Sequence, residues 1–262
     1  MEQALKLVHV SCPFFMLRDQ YLPLILENRV SVEIGVDAEV LDTCPVADLK
    51  RIADTLIRAD LNCSLHAPFL DLSLGAIDPK IRQVSLERME QVVRLIPIFQ
   101  PRWVVCHGGY EARHYQDHRA DWLKNNTESL HRLLSRLEGT GVPLMVENVF
   151  EKEPEHLKVL FDALPTAGLR FCLDVGHHRL YGRTDLKDWL DALAPHLGML
   201  HLHDNQGQWD DHLALGRGCI DFLGLFNQLK IRGLQPFITI EPHQEDWVRE
   251  SLVFLAKYWP WK

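Results

Sequence analysis

The chain has 262 residues, 47% hydrophobic and 24% charged, with a formal net charge of −8 at pH 7. That is enough chain for a large core without disulfide staples. The acidic balance argues against a broad nucleic-acid face, although bound divalent cations would offset it, and no apolar run reaches membrane-spanning length.

In chain order, short apolar runs alternate with longer amphipathic ones. Residues 5–10, 31–36, 62–65, 103–106, 144–146, 170–173, 199–202 and 237–240 are predicted strands. Each is short and nearly all apolar, as strands buried on both faces of a parallel sheet are. Residues 18–28, 47–59, 79–99, 119–137, 154–163, 185–194, 222–231 and 245–258 are predicted helices. In the third helix Ile81, Val84, Met89, Val92, Val93 and Ile96 fall near one stripe, and Asp78-Pro79 reads as an N-cap followed by proline in the first turn. Gly141-Val142-Pro143 and Gly168 mark helix-to-strand turns. Eight strand–helix pairs in this length predict an α/β chain folded as a single (β/α)8 TIM barrel over residues 1–262. A doubly wound open sheet is the alternative, disfavoured because no GxGxxG turn follows any strand.

The six cysteines, Cys12, Cys44, Cys63, Cys106, Cys172 and Cys219, form no CxxC pair. They read as free thiols in a reducing cytoplasm. The N-terminus, MEQALKLVHV, lacks a basic segment followed by an apolar core, so no secretory signal is expected.

The chemistry lies at the ends of the strands. His66 follows the third run, His107 the fourth and Glu147 the fifth. Asp174 follows the sixth, with His177 three residues on. The seventh carries His201 and His203, then Asp210 and His212 in the loop, and Glu241 follows the eighth. In a barrel these ends share one mouth, and imidazoles mixed with carboxylates are first-row metal ligands. With 36 acidic residues and 14 histidines in the chain, six successive strand ends would each carry one by chance on the order of 10⁻⁴ of the time, at ordinary composition. Taken singly, His66 reads as a core histidine and Glu147 as a solvated carboxylate. His178 reads as a surface or supporting residue, Met145 and Met199 as core, and Trp209 as either a pocket wall or packing. Glu33, inside the second strand, either reaches substrate or makes a buried hydrogen bond. The runs EARHYQDHR and FEKEPEH read as solvated loop and helix faces.

From LHAPF to ITIEPH the sequence resembles the xylose isomerase-like TIM barrel superfamily, which joins endonuclease IV to sugar isomerases and ketose 3-epimerases. CLDVGHH and HLHDNQGQWDDHLALGRGCID are its most specific stretches, the second being typical of sugar phosphate isomerase/epimerase proteins. The resemblance to the epimerases implies one divalent ion on Glu147, Asp174, His201 and Glu241. It makes the two glutamates the acid/base pair and His177 a substrate contact. The resemblance to endonuclease IV implies up to three zinc ions on His66, His107, Glu147, Asp174, His177, His201, Asp210, His212 and Glu241. The H-x-x-D/E pattern begins at His201, and His203 points the same way, so either is the seventh-strand ligand.

The resemblance therefore implies a metal-dependent isomerase or epimerase of a small sugar or sugar phosphate, loaded with zinc or manganese and working through an ene-diolate. The competing reading is a zinc-dependent phosphodiester hydrolase of the endonuclease IV kind. Short loops poor in lysine and arginine oppose a DNA substrate. The arginine-bearing segment that epimerases carry after the seventh strand is also missing, with Gln206 and Gln208 nearby. A third reading keeps the metal for structure or ligand sensing alone.

Overall fold

A computed structural model describes residues 8–261. Eight parallel strands, β1 (Val8–Pro13), β2 (Ser31–Gly35), β3 (Cys63–His66), β4 (Val104–His107), β5 (Leu144–Glu147), β6 (Leu169–Asp174), β7 (Leu197–Leu202) and β8 (Phe237–Ile240), pair in sequence order. β8 closes on β1, so the chain is a (β/α)8 TIM barrel. Parallel strands cannot be joined by tight hairpins, and each connection carries helix over the outside of the sheet.

Closure also sets the level of the strand ends. His107 lies across from Glu147, and Asp174 lies across from His201. Inside the barrel, Trp103, Val105, Met145, Cys172 and Met199 fill one buried layer. The larger core lies between strands and helices, with Trp122, Trp189, Phe161 and Phe171 wholly inside it.

Three helices occupy the predicted ranges, Arg119–Leu137, Phe222–Ile231 and Glu245–Tyr258. The predicted helix 79–99 is two, Pro79–Val93 and Ile96–Phe99, the second carrying Pro97 in its first turn, a residue whose missing N–H cannot continue the first ladder. Its stripe is also corrected: Ile81 and Val84 are each 48% exposed, and Ser85, Leu86, Met89 and Val92 face inward. The first helical segment begins earlier than residue 18, at Phe14–Met16, and passes through a π-helical turn, Leu17–Tyr21, into Leu22–Asn28. The first strand runs later than predicted, over Val8–Pro13, and residues 5–7 lie outside the described range.

Two short helices had no periodic signal. Ala38–Thr43 is capped by Asp37, which accepts from the Val40 N–H at 2.8 Å. Val175–Tyr181 is capped by Asp174, which accepts from the His177 N–H at 2.6 Å. One charged residue in the FEKEPEH run is not solvated. Glu151 is buried and accepts from the backbone N–H groups of Val149 at 2.7 Å and Tyr110 at 3.2 Å. The six cysteines are free, four of them buried. No described helix is long and apolar enough to cross a membrane.

Because the interior layer is filled, truncating it leaves a hole the strands cannot close. Met199→Ala is expected to lower unfolding stability by about 2–5 kcal/mol in urea titration. A loss under about 0.5 kcal/mol would contradict a close-packed barrel interior.

Candidate metal centre

The ten ligand-type residues singled out in the sequence form one connected cluster at the C-terminal ends of the strands. His66, His107, Glu147 and Asp174 are the last residues of β3, β4, β5 and β6, and His201 lies within β7. Glu241 follows β8, and His177 sits in the helical turn that Asp174 caps. His203, Asp210 and His212 come from the loop after β7, which an isolated bridge between Asp204 and Leu213 folds back on itself.

Glu147 is the hub. Its Oε2 lies 3.2 Å from His66 Nε2, 3.5 Å from His107 Nε2 and 3.4 Å from His201 Nδ1. Its Oε1 lies 3.2 Å from His177 Nδ1. His201 Nδ1 is also 3.4 Å from Glu241 Oε1 and 4.0 Å from Asp174 Oδ2. A second focus is Asp210 Oδ2, 3.3 Å from both His177 Nε2 and His212 Nε2. His203 Nε2 lies 3.2 Å from Asp174 Oδ1, and its ring stacks on His212 at 3.8 Å and 3°. Within 4.8 Å, donor atoms gather as His66/His107/Glu147, as Glu147/Asp174/His177 and as His177/His203/Asp210/His212.

Backbone carbonyls fix how three of the imidazoles face. Nδ1 of His66 donates to Ala67 at 2.9 Å, Nδ1 of His177 to Asn148 at 3.1 Å, and Nδ1 of His212 to Glu241 at 2.6 Å. A carbonyl only accepts, so His66 and His212 keep Nε2 for the carboxylates, whereas His177 Nδ1 also faces Glu147 and its Nε2 faces Asp210. This is the arrangement in which a histidine ligand is held by its other nitrogen. His212 takes a left-handed backbone, φ 48°, uncommon for a side chain and concentrated at functional sites.

The electrostatics have one dominant feature. Among the described residues, every ion-pair partner of Glu33, Glu147, Asp174, Asp210 and Glu241 is an imidazole. Burial alone would lower His66, His177, His201 and His212, but the facing carboxylates raise all four, His212 to about 9. Burial pushes His107 the other way, down to about 3. Burial would raise Glu147 and Glu33, yet the surrounding imidazoles hold both low, Glu33 near 2. Several buried atoms still lack a hydrogen-bond partner: Asp174 Oδ2, His201 Nδ1 and both nitrogens of His203. Imidazole and carboxylate donors in this number, with unpaired acceptor atoms among them, fit divalent cations of the zinc or manganese kind.

Supporting residues carry much of the geometry. Asn148 donates to the Asp174 carbonyl and accepts from the Asp174 N–H, both at 2.9 Å, which stitches β5 to the end of β6. Asp204 accepts from the N–H groups of Asn205, Gly216, Gly218 and Ile220 at 2.8–3.2 Å, and so folds the LGRG turn. Gly176 leaves the room that His203 occupies, since a Cβ there would meet the ring at 2.0 Å. His178 Nε2 donates to the Thr184 carbonyl at 3.1 Å, a packing role. Trp209 is 75% exposed beside the cluster, so it is not core packing.

Comparison with known proteins agrees with this architecture. The family described as xylose isomerase-like TIM barrel matches residues 31–258. The chain is 30% identical over 217 residues, 79% of each protein, to the uncharacterized protein MJ1614 of Methanocaldococcus jannaschii. The TTHB071 protein from Thermus thermophilus, solved after soaking with ZnCl2, superposes with a TM-score of 0.81 at 27% identity, covering 96% of this chain and 97% of that one. A D-tagatose 3-epimerase-like protein superposes with a TM-score of 0.81 at 22% identity over 96% of both chains, a likeness of fold.

An imidazole sheds its extra proton before it accepts a metal ion. With His212 raised from 6.5 to about 9, protons compete across that window. Apparent zinc affinity, measured by chelator competition, is expected to climb as pH rises through the window and then level. An affinity that falls across it would contradict this electrostatic picture.

Proposed function

The chain belongs to the xylose isomerase-like TIM barrel family, and from that premise we propose that it is a metal-dependent isomerase or epimerase of a small sugar or sugar phosphate. Glu147, Asp174, His201 and Glu241 would hold the principal ion. His201 rather than His203 takes the β7 position, because its Nδ1 faces both glutamates. When bound, the ion supplies Lewis-acid polarisation of a substrate carbonyl and its neighbouring hydroxyl.

One observation carries the reading. Carboxylates from strands three places apart, Glu147 and Glu241, each come within 3.4 Å of the same His201 nitrogen. Two such groups divide the chemistry of a reversible proton shift. One takes the proton from the carbon beside the carbonyl, and the other returns it. Glu241 is the more open of the pair, its side chain 11% exposed against 1% for Glu147. It therefore meets the incoming substrate first, while Glu147 acts from beneath. His177, 10% exposed, orients a substrate hydroxyl.

A second reading has its own support. Glu147 is shared among four imidazoles, as a carboxylate bridging two or three ions would be. Clustered zinc ions would suit phosphodiester hydrolysis, while the acidic balance of −8 and the brevity of the loops oppose a DNA substrate.

The test incubates zinc-, manganese- or cobalt-loaded protein with ketoses and their phosphates in D2O and follows deuterium entry beside the carbonyl. Exchange on at least one sugar is expected, with Glu241→Gln slowing it by about 10²–10⁴. Cleavage of an abasic-site duplex by protein carrying three zinc ions, with no exchange on any sugar, would overturn the assignment.

A further inference from the structure

Glu33 lies in β2 with no exposed surface, and its carboxylate tethers five strands or their edges. Its Oε2 accepts from Ser64 Oγ at 3.1 Å, Trp103 Nε1 at 3.0 Å and Thr239 Oγ1 at 3.0 Å. Ser64 Oγ also lies 2.9 Å from His9 Nδ1, and because its own proton goes to Glu33 it accepts from that nitrogen. The other oxygen, Oε1, lies 2.9 Å from His201 Nε2, off the ring N–H axis, and neither of these two atoms has any other polar partner.

We propose that Glu33 is a positioning residue that fixes the proton of His201 on Nε2 and thereby leaves the Nδ1 lone pair free for a metal ion. The inference rests on the reading of His201 as a ligand. Hydrogen-bond polarity decides the tautomer. Three donors saturate Oε2, and a tryptophan N–H has no acceptor role. The carboxylate therefore turns its remaining acceptor on His201 and selects the Nε2–H form. The opposite nitrogen, the one that gives up its proton when a metal ion arrives, faces Glu147, Glu241 and Asp174. The supporting carboxylate thus assigns His201 the reverse polarity from His66 and His212, whose Nδ1 atoms are the ones held.

Glu33→Gln keeps the shape and reverses the polarity. The amide oxygen must take the three-donor side, because an NH2 there would face only donors. The NH2 then points at His201 Nε2 and moves the ring proton to Nδ1, where it blocks ligation.

The test uses ¹¹³Cd²⁺ as the probe and ¹⁵N-labelled protein, with the His201 ring signals assigned from His201→Asn. In the wild type, cadmium is expected to couple to His201 Nδ1 while Nε2 keeps its proton. In Glu33→Gln that coupling is expected to vanish, with cadmium binding weakened by at least about 10–100-fold. Coupling through Nε2 in the wild type, or Nδ1 coupling that survives in Glu33→Gln, would overturn the role of Glu33. Cadmium bound by the wild type with no coupling to His201 at all would instead overturn the ligand reading of His201. The wild-type measurement decides the question even if the variant folds poorly.

Discussion

Glu33, Glu147 and Asp174 are shut away from water, and no lysine or arginine reaches them among the described residues. Taking a carboxylate out of water costs several kcal/mol unless a nearby positive charge compensates it. Here the compensation comes from imidazoles, whose affinity for protons the carboxylates raise. A divalent ion would supply the same charge at the same place and release those protons. The folded mouth is thus stable in a protonated state and primed for exchange with metal. Replacing its histidines by apolar residues would leave the acids uncompensated.

The barrel exists in a form that makes this concentration possible. Parallel pairing in sequence order delivers every strand end to one face, and the register sets His107 beside Glu147 and Asp174 beside His201. Beneath them, Trp103 and Met199 fill the interior, so the polar layer rests on a packed floor. Above, the β7 loop is held by Asp204 through backbone N–H groups and by Leu215, which is anchored in the core. That leaves Asp210 and His212 on a loop whose shape is fixed but whose tip, with Trp209, stands in solvent.

The architecture was legible because its signals are periodic. Eight apolar runs separated by amphipathic ones imply a closed parallel barrel, and ligand-type residues at successive run ends imply a shared rim. Where the sequence falls silent, the cause is local. Asp174 both ends a strand and caps the turn holding His177, and a seven-residue turn carries too few residues to show a period. Ile81 and Val84 lie near the helical stripe on paper, yet the neighbouring layer covers the face that carries Ser85, Leu86, Met89 and Val92. Glu151 looks solvated because carboxylates usually are, and its backbone partners come from a different loop. The direction of Glu33 was readable from strand alternation, but its partners Ser64, Trp103, Thr239 and His201 meet only once the barrel closes. The choice between His201 and His203 turns on ring orientation, which spacing does not encode.

Crystals grown with zinc and measured on both sides of the zinc absorption edge test the central claim most directly. An anomalous peak between Glu147, Asp174, His201 and Glu241 is the predicted result, with any further peaks beside His66 and His107 or beside Asp210 and His212. Zinc found only on surface carboxylates, with the mouth residues still joined to one another through protons, would contradict it.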